Sequence, residues 1–142
     1  MYNYFPVDIV KKLHKKTVQI SGGGDTGIRD LGILEGALAH IQNDLYYPTF
    51  EKKLTHLFFC ANKFHTFNDG NKRIAIVLGA QFLLLNGYLY MLDRFIRDME
   101  NISYHVASGK IDKELLEEII TSMINEVDFS EELKLKIFNA IS

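Results

Sequence analysis

From Pro6 onward the apolar positions recur at helical intervals. Val7, Val10, Leu13, His14 and Val18 fall on one face, Pro6 suits a first helical turn, and the pattern predicts a helix to about Ile20. Leu31, Leu34, Leu38 and Ile41 form a second stripe, with Asp30 as its N-cap, running to about Asn43. Phe50, Leu54, Leu57, Phe58, Ala61 and Phe64 describe a third helix that ends near His65. The stretch Ile74 to Leu85 is apolar nearly all round, which marks a central helix surrounded by others. It begins at Gly70 or Asn71, and Asn86-Gly87 stops it. Three more patterns follow: Asp93 to about Ser108, Lys113 to about Asn125, and Ser130 to about Ala140. In the second of these Leu115, Leu116, Ile119, Ile120, Met123 and Ile124 face inward. In the last, Ser130 is the N-cap, and Glu131 and Glu132 complement the helix dipole.

Between these runs, Ser21 to Gly27 contains four glycines and is expected to be a loop. No Gly-Lys-Ser/Thr follows, so it is not a P-loop. Asp44 to Phe50 breaks helical periodicity with aromatics beside Pro48 and is expected to form a short exposed hairpin or flap, and Tyr88-Leu89-Tyr90 is expected to be briefly extended. No internal repeat or heptad run is present. The fold class is therefore all-α: one compact helical bundle over residues 1–142, with a short flap hairpin before the motif helix.

Composition narrows the function classes. A chain of 142 residues that is 47% hydrophobic has enough apolar material for one core. A formal charge of −2 gives no global attraction to nucleic acid, and no direct nucleic-acid partner is expected. Lys11, Lys12, Lys15 and Lys16 form a local basic cluster, read as a solvated helix face. The apolar run ending at Leu85 is interrupted by Gln81 and is shorter than the roughly 20 residues a membrane span needs. The N-terminus carries no secretory pattern, and the single cysteine, Cys60, sits among core residues. A cytoplasmic protein is expected.

Chemistry concentrates in one interhelical loop, His65-Thr66-Phe67-Asn68-Asp69-Gly70-Asn71-Lys72-Arg73. A helix N-terminus offers unpaired amides and partial positive charge, so the amides around Gly70, Asn71 and Lys72 can hold phosphate oxygens, with Gly70 permitting close approach. Arg73 can add a bidentate contact to a terminal phosphate, and Lys72 adds a compact positive charge. Asp69 supplies a hard oxygen ligand for magnesium, which takes about one or two carboxylates besides phosphate oxygens. His65, with an ordinary pKa near 6.5, can take the proton of an incoming hydroxyl. Phe67 should point inward as an anchor. Each piece alone also fits a structural role, since a histidine at a helix end often caps or packs and Asp-Gly-Asn is a common turn. His14, His40, His56 and His105 lack convergent metal-ligand spacing and are read as structural or surface residues. A histidine-metal nuclease would need a second histidine and a metal hairpin near Asn71, and neither pattern is present.

The loop resembles the signature of the Fic/Doc family, His-x-Phe-x-Asp/Glu-Gly/Ala-Asn-Gly/Lys-Arg, matched at every constrained position from His65 to Arg73. Gly27 to Leu38 also looks like that family's loop-to-helix segment. The resemblance implies that His65 is the general base on a Ser, Thr or Tyr hydroxyl of a target protein. It also implies that Asp69 is the magnesium ligand and that Gly70, Asn71, Lys72 and Arg73 bind the phosphates of ATP. The segment Asp44 to Phe50 takes the place of the family's flap, which gives Tyr46 and Tyr47 a target-docking role beside the alternative of aromatics packed on the core edge. Lys72 stands where nucleotide-transferring members have Gly, and Ile76 where they have a second Arg. Both substitutions resemble the Doc (death-on-curing) toxin subgroup and imply γ-phosphate transfer to a target, expected to be a translation elongation factor. Transfer of AMP or UMP, or an inactive nucleotide-binding module, are the alternatives. Ser122 to Val127 fails the family's inhibitory motif at its last position, so a separate antitoxin is the expected regulator.

Overall fold

The computed structural model describes residues 1–20, 23–64, 66–68 and 70–142. Among them are seven α-helices: α1 (Val7–Ile20), α2 (Gly32–His40), α3 (Phe50–Lys63), α4 (Asn71–Leu85), α5 (Leu92–Ala107), α6 (Lys113–Asn125) and α7 (Glu131–Ile141). The all-α expectation holds. The apolar helix α4 lies at the centre, packed against α1, α3 and α5, while α6 closes the far side of α3 and carries α7. Ile74, Ala75, Leu78, Phe82 and Leu83 of α4 are buried against Leu54, Leu57, Phe58 and Phe95. This is the single core that its sequence pattern requires.

Several boundaries follow from local caps. Thr49 opens α3 by accepting from the Lys52 amide, Asp112 opens α6 by accepting from Leu115, and Ser130 opens α7 by accepting from Leu133. Asp30 serves one residue earlier than expected. Its carboxylate accepts from the Gly32 amide at 3.0 Å, Leu31 occupies the N-cap position, and the helix ends at His40 rather than Asn43. At the other end of the core, Asn86 fulfils its expected role as a stop. It also exchanges hydrogen bonds with Asn3, at 2.7 and 3.0 Å, which lays the N-terminal segment across the end of α4.

Two local expectations are corrected. Residues 44–49 form consecutive turns and not a hairpin: the Asn43 side chain accepts from the Leu45 amide at 2.9 Å, and the Tyr47 amide donates to the Asn43 carbonyl at 2.9 Å. A side chain that mimics a backbone turn competes successfully with strand pairing, because no strand among the described residues lies beside the segment. Tyr88 to Tyr90 is not extended either, since Leu89–Met91 closes a 3₁₀ turn that leads into α5.

The turn at 41–44 is held from inside by a residue that periodicity could not identify. Lys53 has no exposed surface, and its Nζ donates to the Ile41 carbonyl at 2.6 Å and the Asp44 carboxylate at 2.7 Å, with the Tyr2 and Tyr4 rings 5.5 and 5.7 Å away. Burial pulls the ammonium pKa down, but the contacts to Asp44 and Tyr4 outweigh it and leave the pKa above its ordinary value. A raised lysine pKa contributes stability that is fully present below the unfolded value, near 10.4, and is lost as pH climbs through the folded value. Lys53→Met should therefore lower unfolding free energy by about 1–3 kcal/mol at pH 7, since the exposed Asp44 stays solvated but the Ile41 carbonyl loses its donor. In urea titrations the gap between variant and parent should narrow above pH 10.5. A constant gap would mean that Lys53 acts through packing alone.

Candidate functional site

The loop joining α3 to α4 is fastened to the body by backbone pairing. The carbonyl of Thr66 accepts from the amides of Arg29 and Asp30 at 2.8 and 3.0 Å, and the Asn68 amide donates to the Gly27 carbonyl at 3.1 Å. Ile28 and Phe67 thus form an isolated antiparallel bridge. The glycine-containing segment, of which Ser21 and Gly22 lie outside the described residues, therefore serves as a splint for the motif loop. Phe67 is fully buried, as expected of an anchor, and stacks on the buried His14 ring of α1 with centroids 3.7 Å apart and planes 7° from parallel. Three segments distant in sequence meet at this point.

Asp25 completes the splint. One carboxylate oxygen accepts from the Gly27 amide at 2.7 Å and the other accepts from Asn68 Nδ2 at 3.1 Å. Sequence reading passed over Asp25, although an Asp two residues before a Gly in a glycine-rich stretch is a readable Asx-turn signal. A Cβ on Gly27 would stand 2.5 Å from Asn68 Nδ2 and 2.8 Å from Asp25 Oδ1, so the splint closes only around glycine.

Of the residues read as the reaction site, His65 and Asp69 lie outside the described residues. Gly70, Asn71, Lys72 and Arg73 come together at the start of α4. Gly70 occupies the N-cap with φ 78°, a left-handed conformation in which a side chain is strained. The Asn71 side chain is committed to the loop: its Oδ1 accepts from the Phe67 amide at 3.1 Å and its Nδ2 donates to the Phe67 carbonyl at 2.9 Å. What Asn71 has left for an anion is its backbone amide. Lys72 and Arg73 are exposed, and among the described residues neither forms an ion pair. A Cβ at Gly70 would be 3.5 Å from Arg73 Nη2, so the guanidinium lies beside the helix N-terminus. First-turn amides, the positive end of the helix dipole and the Arg73 guanidinium share one small surface, with the exposed Lys72 adjacent in sequence, an arrangement suited to a phosphate chain. No group of three His, Cys, Asp or Glu side chains among the described residues could hold a metal ion by itself. A cation here would depend on ligand oxygens from a bound phosphate.

The tyrosines divide. Tyr46 is 73% exposed and edges a cavity of about 490 Å³ that it shares with His40, Asn43 and Tyr47. Tyr47 is half-buried, with its hydroxyl 3.3 Å from His56 Nδ1 and its pKa raised by burial and then by Cys60. His56 stands at the hub of a cluster missed in the sequence. Lys113 Nζ donates to its Nδ1 at 2.7 Å, its Nε2 is 3.4 Å from His40 Nδ1, and Cys60 Sγ is 3.8 Å from Nε2. Burial first, then the Lys113 ammonium and His40, lower the His56 pKa to about 4. On the other side of the motif loop, Lys11, Lys12 and Lys15 line a cavity of about 460 Å³ with His14, Thr26, Gly27, Ile28 and Phe67.

Residues 4–83 match the model of the Fic/DOC family, a span that runs from the N-terminal segment through the loop and nearly all of α4. The chain is 32% identical over 97 residues to Toxin Doc of Mycolicibacterium smegmatis (strain ATCC 700084 / mc(2)155), covering 66% of this chain and 75% of that protein. No solved structure matches the chain.

Two outcomes follow from the contacts. Gly27→Ala should push the Asp25 and Asn68 side chains apart and lower stability by about 1 kcal/mol, the worth of the hydrogen bonds lost. In an Asp25→Ala background, which lacks those bonds already, the same change should cost less, and equal costs in both backgrounds would rule the splint out. His56 is neutral when folded and binds a proton when unfolded, so its contribution is present above pH 6.5 and is lost as pH falls toward about 4. Urea unfolding should show a decline on the order of 2 kcal/mol across that window, and His56→Gln should flatten it.

Proposed function

The chain belongs to the Fic/Doc family, and from that premise we propose that it is a Doc-type toxin that transfers the γ-phosphate of ATP to a hydroxyl of a target protein. The observation that supports this reading is the start of α4, where left-handed Gly70, the first-turn amides, the neighbouring Arg73 guanidinium and the exposed Lys72 lie beside a loop pinned at Thr66 to Asn68 by backbone hydrogen bonds. The curated relative's name, Toxin Doc, supports the toxin assignment. Lys72 and Ile76 favour phosphoryl over nucleotidyl transfer, because a lysine side chain occupies the space beside the phosphates and no second arginine stands one turn further along.

In this reading the target Ser or Thr oxygen attacks the γ-phosphorus. The new O–P bond forms as the bond to the bridging β–γ oxygen breaks, ADP leaves, and the hydroxyl proton passes to His65. Amides at Gly70, Asn71 and Lys72 hold the phosphate oxygens, and Arg73 stabilises charge on the terminal group. Magnesium, held by Asp69 and phosphate oxygens, would supply charge neutralisation. The donor set fits such an ion, since one carboxylate among cations leaves most coordination positions to the phosphates. Tyr46, exposed at the flap turn, is available to dock the target; Tyr47 orients that turn through His56. The target is a translation elongation factor, and a separate antitoxin covers the site when the toxin is silent. The reaction takes place in the cytoplasm, and no helix among the described residues is long and apolar enough to cross a membrane.

Incubating purified protein with cell extract, magnesium and ATP labelled at the α- or the γ-phosphate tests the assignment. Label from γ alone on a protein band is expected, and His65→Ala should lower the rate by roughly 10²–10⁴-fold without unfolding the chain or abolishing ATP binding. Label from α would replace phosphorylation by AMP transfer. ATP binding with no transfer to any protein would make the chain an inactive interaction module.

A further inference from the structure

Behind the phosphate-binding turn runs a short chain of buried polar groups that the family match does not account for. Ser103, on α5, donates its hydroxyl hydrogen to the Lys72 carbonyl at 3.2 Å. The same hydroxyl accepts from Nδ2 of Asn62, in the last turn of α3, and this nitrogen also reaches the Ser103 carbonyl at 3.1 Å. A carbonyl only accepts, so the amide orientation is fixed by this contact. Asn62 Oδ1 is consequently left buried and without a partner among the described residues.

Such a group is poor material for stability. Aliphatic side chains of the same shape would fill this position with no orphaned acceptor and no hydroxyl to satisfy. What the polar pair supplies is direction. Hydrogen bonds between Asn71 and Phe67 and between Asn86 and Asn3 tie the two ends of α4, but the face it turns to α3 and α5 is held by apolar contacts, which are non-directional and tolerate small rotations about its axis. The Lys72 carbonyl lies within the first turn, immediately before Arg73, and a hydrogen bond to it fixes where the neighbouring amides and side chains point.

We infer that Asn62 and Ser103 are positioning residues for the phosphate-binding turn. They set the rotation of the first turn of α4, so that the amides at Gly70 to Lys72 and the heads of Lys72 and Arg73 converge on one anion. Neither touches the reacting atoms; Ser103 acts through the Lys72 backbone, and Asn62 acts through Ser103. This inference rests on the reading of that turn as the nucleotide site.

The test compares Ser103→Ala, Asn62→Leu, their double variant and the hydroxyl-preserving Ser103→Thr with the parent, using ATP as ligand. Both single variants should keep or raise the thermal midpoint while weakening ATP binding roughly fivefold or more, the loss of about one directional hydrogen bond. The double variant should be no weaker than the worse single one, because both act through one carbonyl. In ¹⁵N-resolved spectra without nucleotide, the amide signals of residues 71–73 should move in both single variants and return toward the parent in Ser103→Thr. A lower midpoint with unchanged ATP affinity would reduce the pair to a structural contact, and unmoved 71–73 signals would overturn the inference whatever the affinity does. Should the parent bind no ATP, the nucleotide reading falls. The inference falls with it, and moved 71–73 signals would then show only that the pair orients this turn.

Discussion

A helix that is apolar nearly all round can sit only at the centre of a bundle, yet a helix that binds an anion must bring its N-terminus to the surface. Helix α4 meets both demands, and the rest of the structure is arranged around the reconciliation. Its body is sealed by α1, α3 and α5, while Lys72 and Arg73 in its first turn are exposed. That exposed end cannot be steadied by hydrophobic burial. It is steadied by hydrogen bonds from chain segments that arrive from elsewhere. Arg29 and Asp30 grip the Thr66 carbonyl, Gly27 grips Asn68, and Asn71 reaches back to both backbone groups of Phe67. Phe67 itself is driven into the core and stacked on His14. Thr66 to Asn68 are thus pinned in place without being regular, the condition under which a loop can hold side chains for chemistry.

The same logic explains where polar groups are buried. Lys53 is enclosed to clamp the turn at 41–44, just before Tyr46 and Tyr47, and His56 is enclosed on α3 between Tyr47 and Lys113 of α6. Asn62 and Ser103 are enclosed behind the first turn of α4. None of these lies in the middle of the apolar core formed by Leu54, Leu78 and Phe95. These buried polar residues border segments that must keep one orientation, whereas Thr55 and Ser122 are buried within helices α3 and α6. A hydrogen bond specifies direction where packing specifies only proximity, and its desolvation cost is tolerable in small numbers.

Local physics explains which parts could be read from the sequence. Helix α6 begins and ends where its pattern placed it, and α4 begins at Asn71 and stops at Asn86, because caps and periodicity are both local. Ser130 was legible for the same reason. The flap turn was misread because the Asn43 side chain decides it from outside the aromatic stretch, and a lysine on the face of α3 gives no hint that it will be buried. At the site, the Gly70 to Arg73 cluster was legible as a linear motif. The splint was not, since the contact between Gly27 to Asp30 and Thr66 to Asn68 spans two intervening helices and leaves no periodic trace.

The unsatisfied atoms sharpen this argument. Asn62 Oδ1 and Thr66 Oγ1 are both buried without partners among the described residues, and both flank the motif loop. An orphaned acceptor or hydroxyl costs about 1–3 kcal/mol, a substantial fraction of the stability of a domain this size. A sequence shaped for stability alone would have replaced them with aliphatic groups at no cost in volume. Two further orphaned atoms, His105 Nδ1 and Ser122 Oγ, lie on α5 and α6, so it is the hydrogen bonds around Asn62, more than the orphans themselves, that tie buried polarity to the orientation of the loop.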